Sequence, residues 1–101
     1  MSKLVVLFEL EGMTSKEYDA ILQTLGGQER LINDNRPVHI AFEKGNKWCV
    51  VDVWESEEAL ADFAARYLGP AFQKLGLNPP RPEILPVYRY VNAGIEESIS
   101  A

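Results

Sequence analysis

The chain contains four short apolar stretches rich in β-branched and aromatic residues, and two longer stretches in which apolar residues recur at helical spacing. Stretches of the first kind predict β-strands, and the helical recurrence predicts amphipathic helices. The predicted strands are residues 4–10, 38–42, 48–54 and 83–91, and the predicted helices are residues 15–25 and 57–76. The order along the chain is therefore strand, helix, strand, strand, helix, strand.

Capping residues and prolines indicate where several of these elements begin or break. Thr14 and Glu17 have the spacing of a capping box, which predicts the start of the first helix. Ser56 precedes the second helix and is typical of an N-cap. Pro70 predicts a kink or two consecutive helices, because proline donates no backbone hydrogen bond. Pro86 marks the last strand as an edge or bulged strand for the same reason.

The second and third strands are joined through Gly45 and Asn46, which predicts a β-hairpin. If these two residues form a type II′ turn, the register places His39 directly opposite Asp52. Their Cβ atoms then lie about 4.5–5.5 Å apart on one face of the sheet. Trp48 and Trp54 lie on that same face.

This order of elements is that of the ferredoxin-like βαββαβ fold, of the α+β class, which has two helices on one face of a four-stranded antiparallel sheet. Both faces of the first strand are apolar, with Val5 and Leu7 on one and Val6 and Phe8 on the other. We therefore expect the sheet face that the helices leave open to pair with a second copy, forming a homodimer. The predicted domain is residues 1–91, followed by a frayed or partner-ordered tail over residues 92–101.

The composition excludes several classes of protein. The 101 residues are 47% hydrophobic and 25% charged, which is ordinary for a soluble globular domain. A net charge of −5 without a lysine or arginine cluster argues against nucleic acid as a partner. No apolar run reaches the length of a membrane span. The first apolar stretch ends in Glu9 and Glu11 and is too short and too acidic for a signal peptide, so we expect a cytoplasmic protein.

His39 and Asp52 are the candidate catalytic pair, because a carboxylate beside an imidazole favours the imidazolium or selects one tautomer. With Trp54 and Trp48 they form either a small ligand cavity with one acid/base centre or a polar bridge inside a dimer interface. Tyr67 is a further candidate ligand contact, although its helical spacing is typical of a core residue. No spacing of His, Cys or acidic residues indicates a metal site, and we expect no cofactor.

The element order, the two-sided strands and the run from Val50 to Leu60 resemble the dimeric α/β-barrel superfamily, in particular its antibiotic-biosynthesis-monooxygenase-like domains. The resemblance covers about residues 3–91 and implies a dimer whose pocket, between sheet and helices, is lined by Trp54. Monooxygenase-like members commonly carry a histidine in the helix after the tryptophan-containing strand, where this chain has Asp62 and Phe63. Haem-degrading members share an early-strand asparagine that is absent here, so haem is not expected.

Three functions follow as alternatives. The first is a homodimer that binds a small apolar or aromatic molecule. The second, implied by the resemblance, is a cofactor-independent monooxygenase or isomerase, in which His39 acts as base, Asp52 orients it and Trp54 shapes the pocket. The third is a structural or regulatory dimer without a ligand, with His39 and Asp52 sealed in the interface.

Overall fold

A computed structural model of the chain describes residues 3–30, 35–92 and 95–98. The strands are β1 (Leu4–Glu11), β2 (Val38–Lys44), β3 (Lys47–Trp54), β4 (Glu83–Pro86), β5 (Arg89–Asn92) and β6 (Ile95–Ser98). The helices are α1 (Ser15–Leu25), α2 (Glu57–Phe63) and α3 (Gly69–Lys74), with a 3₁₀ turn at Gln28–Arg30 and a π-helical segment, Ala64–Leu68, joining α2 to α3. Among the described residues, no helix combines the length and apolarity needed to cross a membrane.

The main sheet has four antiparallel strands in the order β2-β3-β1-β4. This confirms the predicted α+β class and the central position of the first and third strands. The order of strands and helices is compatible with a ferredoxin-like fold.

Helix α1 begins as the sequence predicts. The Thr14 Oγ1 accepts a hydrogen bond from the Glu17 backbone N–H at 3.2 Å, and the Glu17 carboxylate accepts one from the Thr14 N–H at 3.1 Å. The capping box is therefore complete. The helix ends at Leu25, and its C-cap Gly26 has a φ of +124°, which disfavours residues with a side chain.

The β2–β3 hairpin has the predicted register. Gly45 has a φ of +63°, whereas no described residue other than glycine has a positive φ. Asn46 therefore has a negative φ, which excludes a type I′ turn and fits type II′. His39 pairs with Asp52, as predicted.

The second helical stretch breaks where Pro70 removes a backbone donor. In the π-helical segment the Gly69 N–H reaches back five residues to the Ala64 carbonyl. The predicted kink or break is thus confirmed, and it takes the form of a wide turn that carries Tyr67 and Leu68.

The last predicted strand, residues 83–91, is two strands in the structure. Pairing between β4 and β1 ends at Pro86, which has no N–H to continue the ladder. The Val87 N–H donates to the Lys3 carbonyl at 2.9 Å, and the chain then leaves the sheet. Strand β5 pairs instead with β6, which lies within the segment expected to be a tail.

The helices cover one face of the sheet and form the core with it. Val6, Phe8, Val50 and Trp54 from the strands are buried in one cluster with Ile21, Leu25, Leu60, Phe63 and Phe72 from the helices. We call the opposite face the outer face. It carries Val5, Leu7, Val51 and Val53 at its centre, with Ile40 and Phe42 on the edge strand β2. Ile40 is 52% exposed and Phe42 is 42% exposed.

Candidate functional site

His39 and Asp52 meet on the helix-covered face of the sheet. The hairpin register places them side by side, and the His39 Nδ1 lies 2.6 Å from the Asp52 Oδ1. The side chain of Asp52 is 3% exposed and that of His39 is 10% exposed. A carboxylate only accepts hydrogen bonds, so Nδ1 carries a proton and donates a hydrogen bond to Asp52.

Tyr18 of α1 extends this contact into a chain of three side chains, which we call the proton relay: Asp52, His39 and Tyr18. The Tyr18 hydroxyl lies 2.6 Å from the His39 Nε2. In a neutral imidazole with Nδ1 protonated, Nε2 is an acceptor, so the phenol donates to it. Each donor in the relay points toward the carboxylate.

The capping box of α1 holds Tyr18 at this position. The Tyr18 backbone N–H donates to the Thr14 carbonyl at 3.0 Å, so the tyrosine lies one turn after the N-cap. Its ring is nearly parallel to the His39 ring, with the two planes 13° apart and the centroids 6.1 Å apart, and it contacts the ring of Trp48 at 5.2 Å between centroids. The hydrogen bond to His39 and the contact with Trp48 restrict the rotation of the phenol.

Arg36 supplies the positive charge that the buried Asp52 requires. Its guanidinium donates to the Asp52 Oδ2 at 3.3 Å and to the Arg30 carbonyl at 3.0 Å. It also lies over the rings of Trp54 and Phe63, 4.9 and 4.5 Å from their centroids. With 4% of the Arg36 side chain and 3% of the Asp52 side chain exposed, the pair is buried, and each charge helps to compensate the other.

Burial alters the titration of two of these groups. The pKa of Tyr18 is raised above its ordinary value of 10.0, mainly by loss of hydration and further by the negative charge of Asp52, while Arg36 opposes the shift. The pKa of Arg36 is lowered by burial, which Asp52 partly offsets. At neutral pH the phenol is therefore protonated and is a hydrogen-bond donor.

The proton relay borders a cavity between the sheet and the helices. The cavity has a volume of about 60 Å³, and each water-sized group needs about 10–15 Å³ of such space, so it holds about four to six heavy atoms. The polar side chains at its wall are those of Tyr18, Arg36, His39 and Asp52. The remaining wall is apolar and includes Phe8, Leu10, Ile21, Leu25 and Phe72.

A second, more polar pocket lies beside the first. It has a volume of about 210 Å³, and its wall includes Trp54, Tyr67, Asp62 and Glu29. The Arg30 guanidinium covers the Tyr67 ring at 4.2 Å from its centroid. Phe63 lines both pockets and lies between them.

The structure distributes the five predicted site residues over three places. His39 and Asp52 line the cavity, Trp54 and Tyr67 line the second pocket, and Trp48 packs behind Tyr18. The indole N–H groups of both tryptophans are buried without a hydrogen-bond partner among the described residues. The fold thus brings His39 and Asp52 together at the cavity and places Trp48, Trp54 and Tyr67 outside its wall.

Two polar residues of the cavity, Tyr18 and Arg36, were missed by the sequence analysis. Tyr18 lies on the apolar stripe of α1, and that stripe contacts the sheet face that carries His39, which is the signal for it. Arg36 lies in an irregular segment without periodicity. A buried carboxylate such as that of Asp52 requires a cation nearby, and this requirement is the only sign in the sequence that a basic residue belongs here.

Comparisons with known proteins assign no family to this site. The chain matches no protein-family model, no curated protein and no solved structure. Within the described parts of the chain, no group of three or more His, Cys, Asp or Glu side chains is placed to hold a metal ion.

Proposed function

We propose that the protein binds a small, mainly apolar molecule in the cavity and that the polar end of this molecule meets the Tyr18 hydroxyl. The observation that carries this proposal is the Asp52–His39–Tyr18 relay, whose outer member lies at the wall of an otherwise apolar cavity. Apolar walls with a few placed polar groups are typical of small-molecule sites. The Tyr18 O–H donates its hydrogen bond to His39, so the Tyr18 oxygen is left to accept a hydrogen bond. A ligand with an enol or hydroxyl group therefore fits both parts of the wall.

Pentane-2,4-dione is a suitable probe, because it is mainly apolar and its enol O–H can donate to the Tyr18 oxygen. Six of its seven heavy atoms match the capacity of the cavity, and the last methyl group lies at the passage between Leu68 and Pro80. Isothermal titration calorimetry should detect its binding to the wild-type protein. Tyr18→Phe removes one hydrogen bond and should weaken the Kd about two- to tenfold. The matched control is Tyr88→Phe, at a tyrosine that is 79% exposed. Equal affinities of the Tyr18→Phe and wild-type proteins would contradict the proposal, and so would an absence of binding to both.

The relay also favours a second candidate, proton-transfer catalysis of the isomerase or cofactor-independent monooxygenase type. A ligand proton passes to the Tyr18 oxygen while the phenol proton passes to His39 Nε2, leaving an imidazolium beside the Asp52 carboxylate. The ligand is then an enolate or phenolate, which is either reprotonated at carbon or attacked by O₂. Positioned acid/base groups contribute about 10²–10⁴-fold to such steps.

This candidate predicts faster ketonisation of pentane-2,4-dione. Diluting its enol-rich solution into buffer gives a decay of enol absorbance as the enol loses its O–H proton and C3 gains one. The wild-type protein should accelerate the decay, and His39→Gln should lose at least a hundredfold of the acceleration. An oxygen electrode separates the two reaction types, because only an oxygenase consumes O₂. Binding of pentane-2,4-dione without acceleration of its ketonisation would contradict catalysis and leave only the ligand-binding proposal.

We also propose that two copies of the chain pair through the outer face, as in the dimeric α/β barrel. The cytoplasm is the compartment that the sequence predicts for this dimer. The support is that one aligned row of this face, Val38, Val53, Val5 and Leu85, is apolar from β2 across to β4. The next row is apolar over Ile40, Val51 and Leu7 and ends in Glu83 on β4. Contiguous apolar surface of this kind is typical of protein–protein interfaces. If the protein dimerises but binds no small molecule, the structural or regulatory function is the one that remains.

A further inference from the structure

A groove on the surface shares part of its wall with the cavity. It has a volume of about 440 Å³ and lies between α2, the π-helical segment and the proline-rich connector of residues 78–82. Phe8, Leu68 and Pro80 line both the groove and the cavity. The cavity and the groove are therefore neighbours separated by these three side chains.

The two compartments differ in chemistry. The polar side chains of the relay and Arg36 lie at the cavity wall, whereas Glu57 is the one ionisable residue among those lining the groove. The rest of the groove wall is apolar and includes Leu60, Ala61, Pro82 and Ile84. Ile84 is 43% exposed, so part of this apolar surface faces solvent in the unliganded chain.

The cavity is too small for the whole of an aromatic or drug-sized ligand. Its volume of about 60 Å³ holds about four to six heavy atoms at about 10–15 Å³ each. A polar head of four to six heavy atoms fits beside Tyr18. The apolar remainder of a larger ligand has to lie elsewhere, and the groove is the adjoining apolar space.

We propose that the ligand is an unbranched amphipathic molecule whose polar head, an enol or hydroxyl group, lies in the cavity and whose alkyl chain passes between Leu68 and Pro80 into the groove. This inference rests on the proposed function and adds the class of ligand to it. Leu68 determines access, because it belongs to the π-helical segment that Pro70 imposes and its side chain contributes to both walls. Ala61 lines the groove but not the cavity, and it limits the length of the alkyl chain that the groove accepts.

The test is a homologous series of pentane-, heptane- and nonane-2,4-dione, titrated into the full chain by calorimetry. Each added methylene that enters the groove should tighten the Kd about three- to fourfold. Ala61→Trp fills the groove at an exposed helix position and should abolish this dependence while leaving the Kd of pentane-2,4-dione unchanged. Ala65→Trp, also at an exposed helix position but outside the groove, is the matched control and should behave as the wild type.

Leu68→Trp tests the passage itself. It should weaken the binding of nonane-2,4-dione at least tenfold relative to the binding of pentane-2,4-dione. The circular dichroism spectrum checks that the variant is folded. The same substitution at Leu75, which lines neither compartment, should leave the ratio unchanged.

The results distinguish failure of this inference from failure of the proposed function. Binding of pentane-2,4-dione without any chain-length dependence would overturn the inference alone. A chain-length dependence that survives Ala61→Trp would also overturn it, because the chain would then bind another apolar surface such as the outer face. No binding of any member of the series to the wild-type protein would overturn both.

Discussion

The buried ion pair between Arg36 and Asp52 is the residue-level feature on which the site depends. Both side chains are buried from water, and each charge helps to compensate the other. Removing one partner of such a pair leaves an uncompensated buried charge and is strongly destabilising.

Asp52→Ala should therefore lower the free energy of unfolding by about 3–5 kcal/mol, measured by urea denaturation. This is a large part of the stability of a domain of this size. Asp62→Ala is the control, because its carboxylate pairs with Arg66 at 3.0 Å between side chains that are 60% and 66% exposed. An exposed helix pair contributes about 0.3–0.5 kcal/mol. Similar losses in the two variants would show that Asp52 is not effectively buried.

Tyr18 makes stability depend on alkaline pH. Well below pH 10 the tyrosine is protonated in both the folded and the unfolded chain. Because the folded pKa is raised, the unfolded chain loses this proton first as the pH increases, and deprotonation favours unfolding. The free energy of unfolding should thus fall more steeply between pH 9 and pH 11 in the wild type than in Tyr18→Phe. Parallel curves would indicate that the phenol is hydrated in the folded chain.

At the scale of elements, the capping box of α1 links helix stability to the site. Thr14→Ala removes the side chain that accepts from the Glu17 N–H and should cost about 1 kcal/mol, within the 0.5–2 kcal/mol known for N-caps. The substitution should also weaken the binding of pentane-2,4-dione, because the first turn of α1 carries Tyr18. Thr14→Ser retains the hydroxyl and should restore both values. A binding loss that Thr14→Ser does not restore would place the effect outside the cap.

The elements that could be predicted from sequence are those with local chemical causes. Thr14 and Glu17 define the start of α1, and Gly45 defines the hairpin turn that places His39 beside Asp52. The division of the last strand could not be predicted fully, because Pro86 shows where pairing with β1 stops but not which segment β5 then joins. Tyr18 and Arg36 escaped because their meeting with Asp52 depends on how α1 and an irregular segment pack on the sheet.

At the scale of the whole molecule, the outer face predicts the state of association. Ile40→Glu places a charge on an exposed position of this face, so the monomer should fold normally while the dimer is lost. Light scattering after size-exclusion chromatography should change from twice the 11.4 kDa chain mass to the mass of one chain. Leu75→Glu, at an exposed leucine away from the sheet, should remain dimeric. A wild-type protein that is itself monomeric would contradict the pairing of the sheets.

Both tryptophans of the chain are buried on the helix-covered face, and no described residue accepts a hydrogen bond from either indole N–H group. Trp48 contacts the ring of Tyr18, and Trp54 contacts the guanidinium of Arg36, so each fluorophore touches one of the two polar residues of the cavity that the sequence analysis missed. The intrinsic emission should therefore be blue-shifted in the folded protein. A molecule that separates Tyr18 from His39 should change the Trp48 contribution, which Trp48→Phe would remove, so the protein carries its own optical reporter of occupancy.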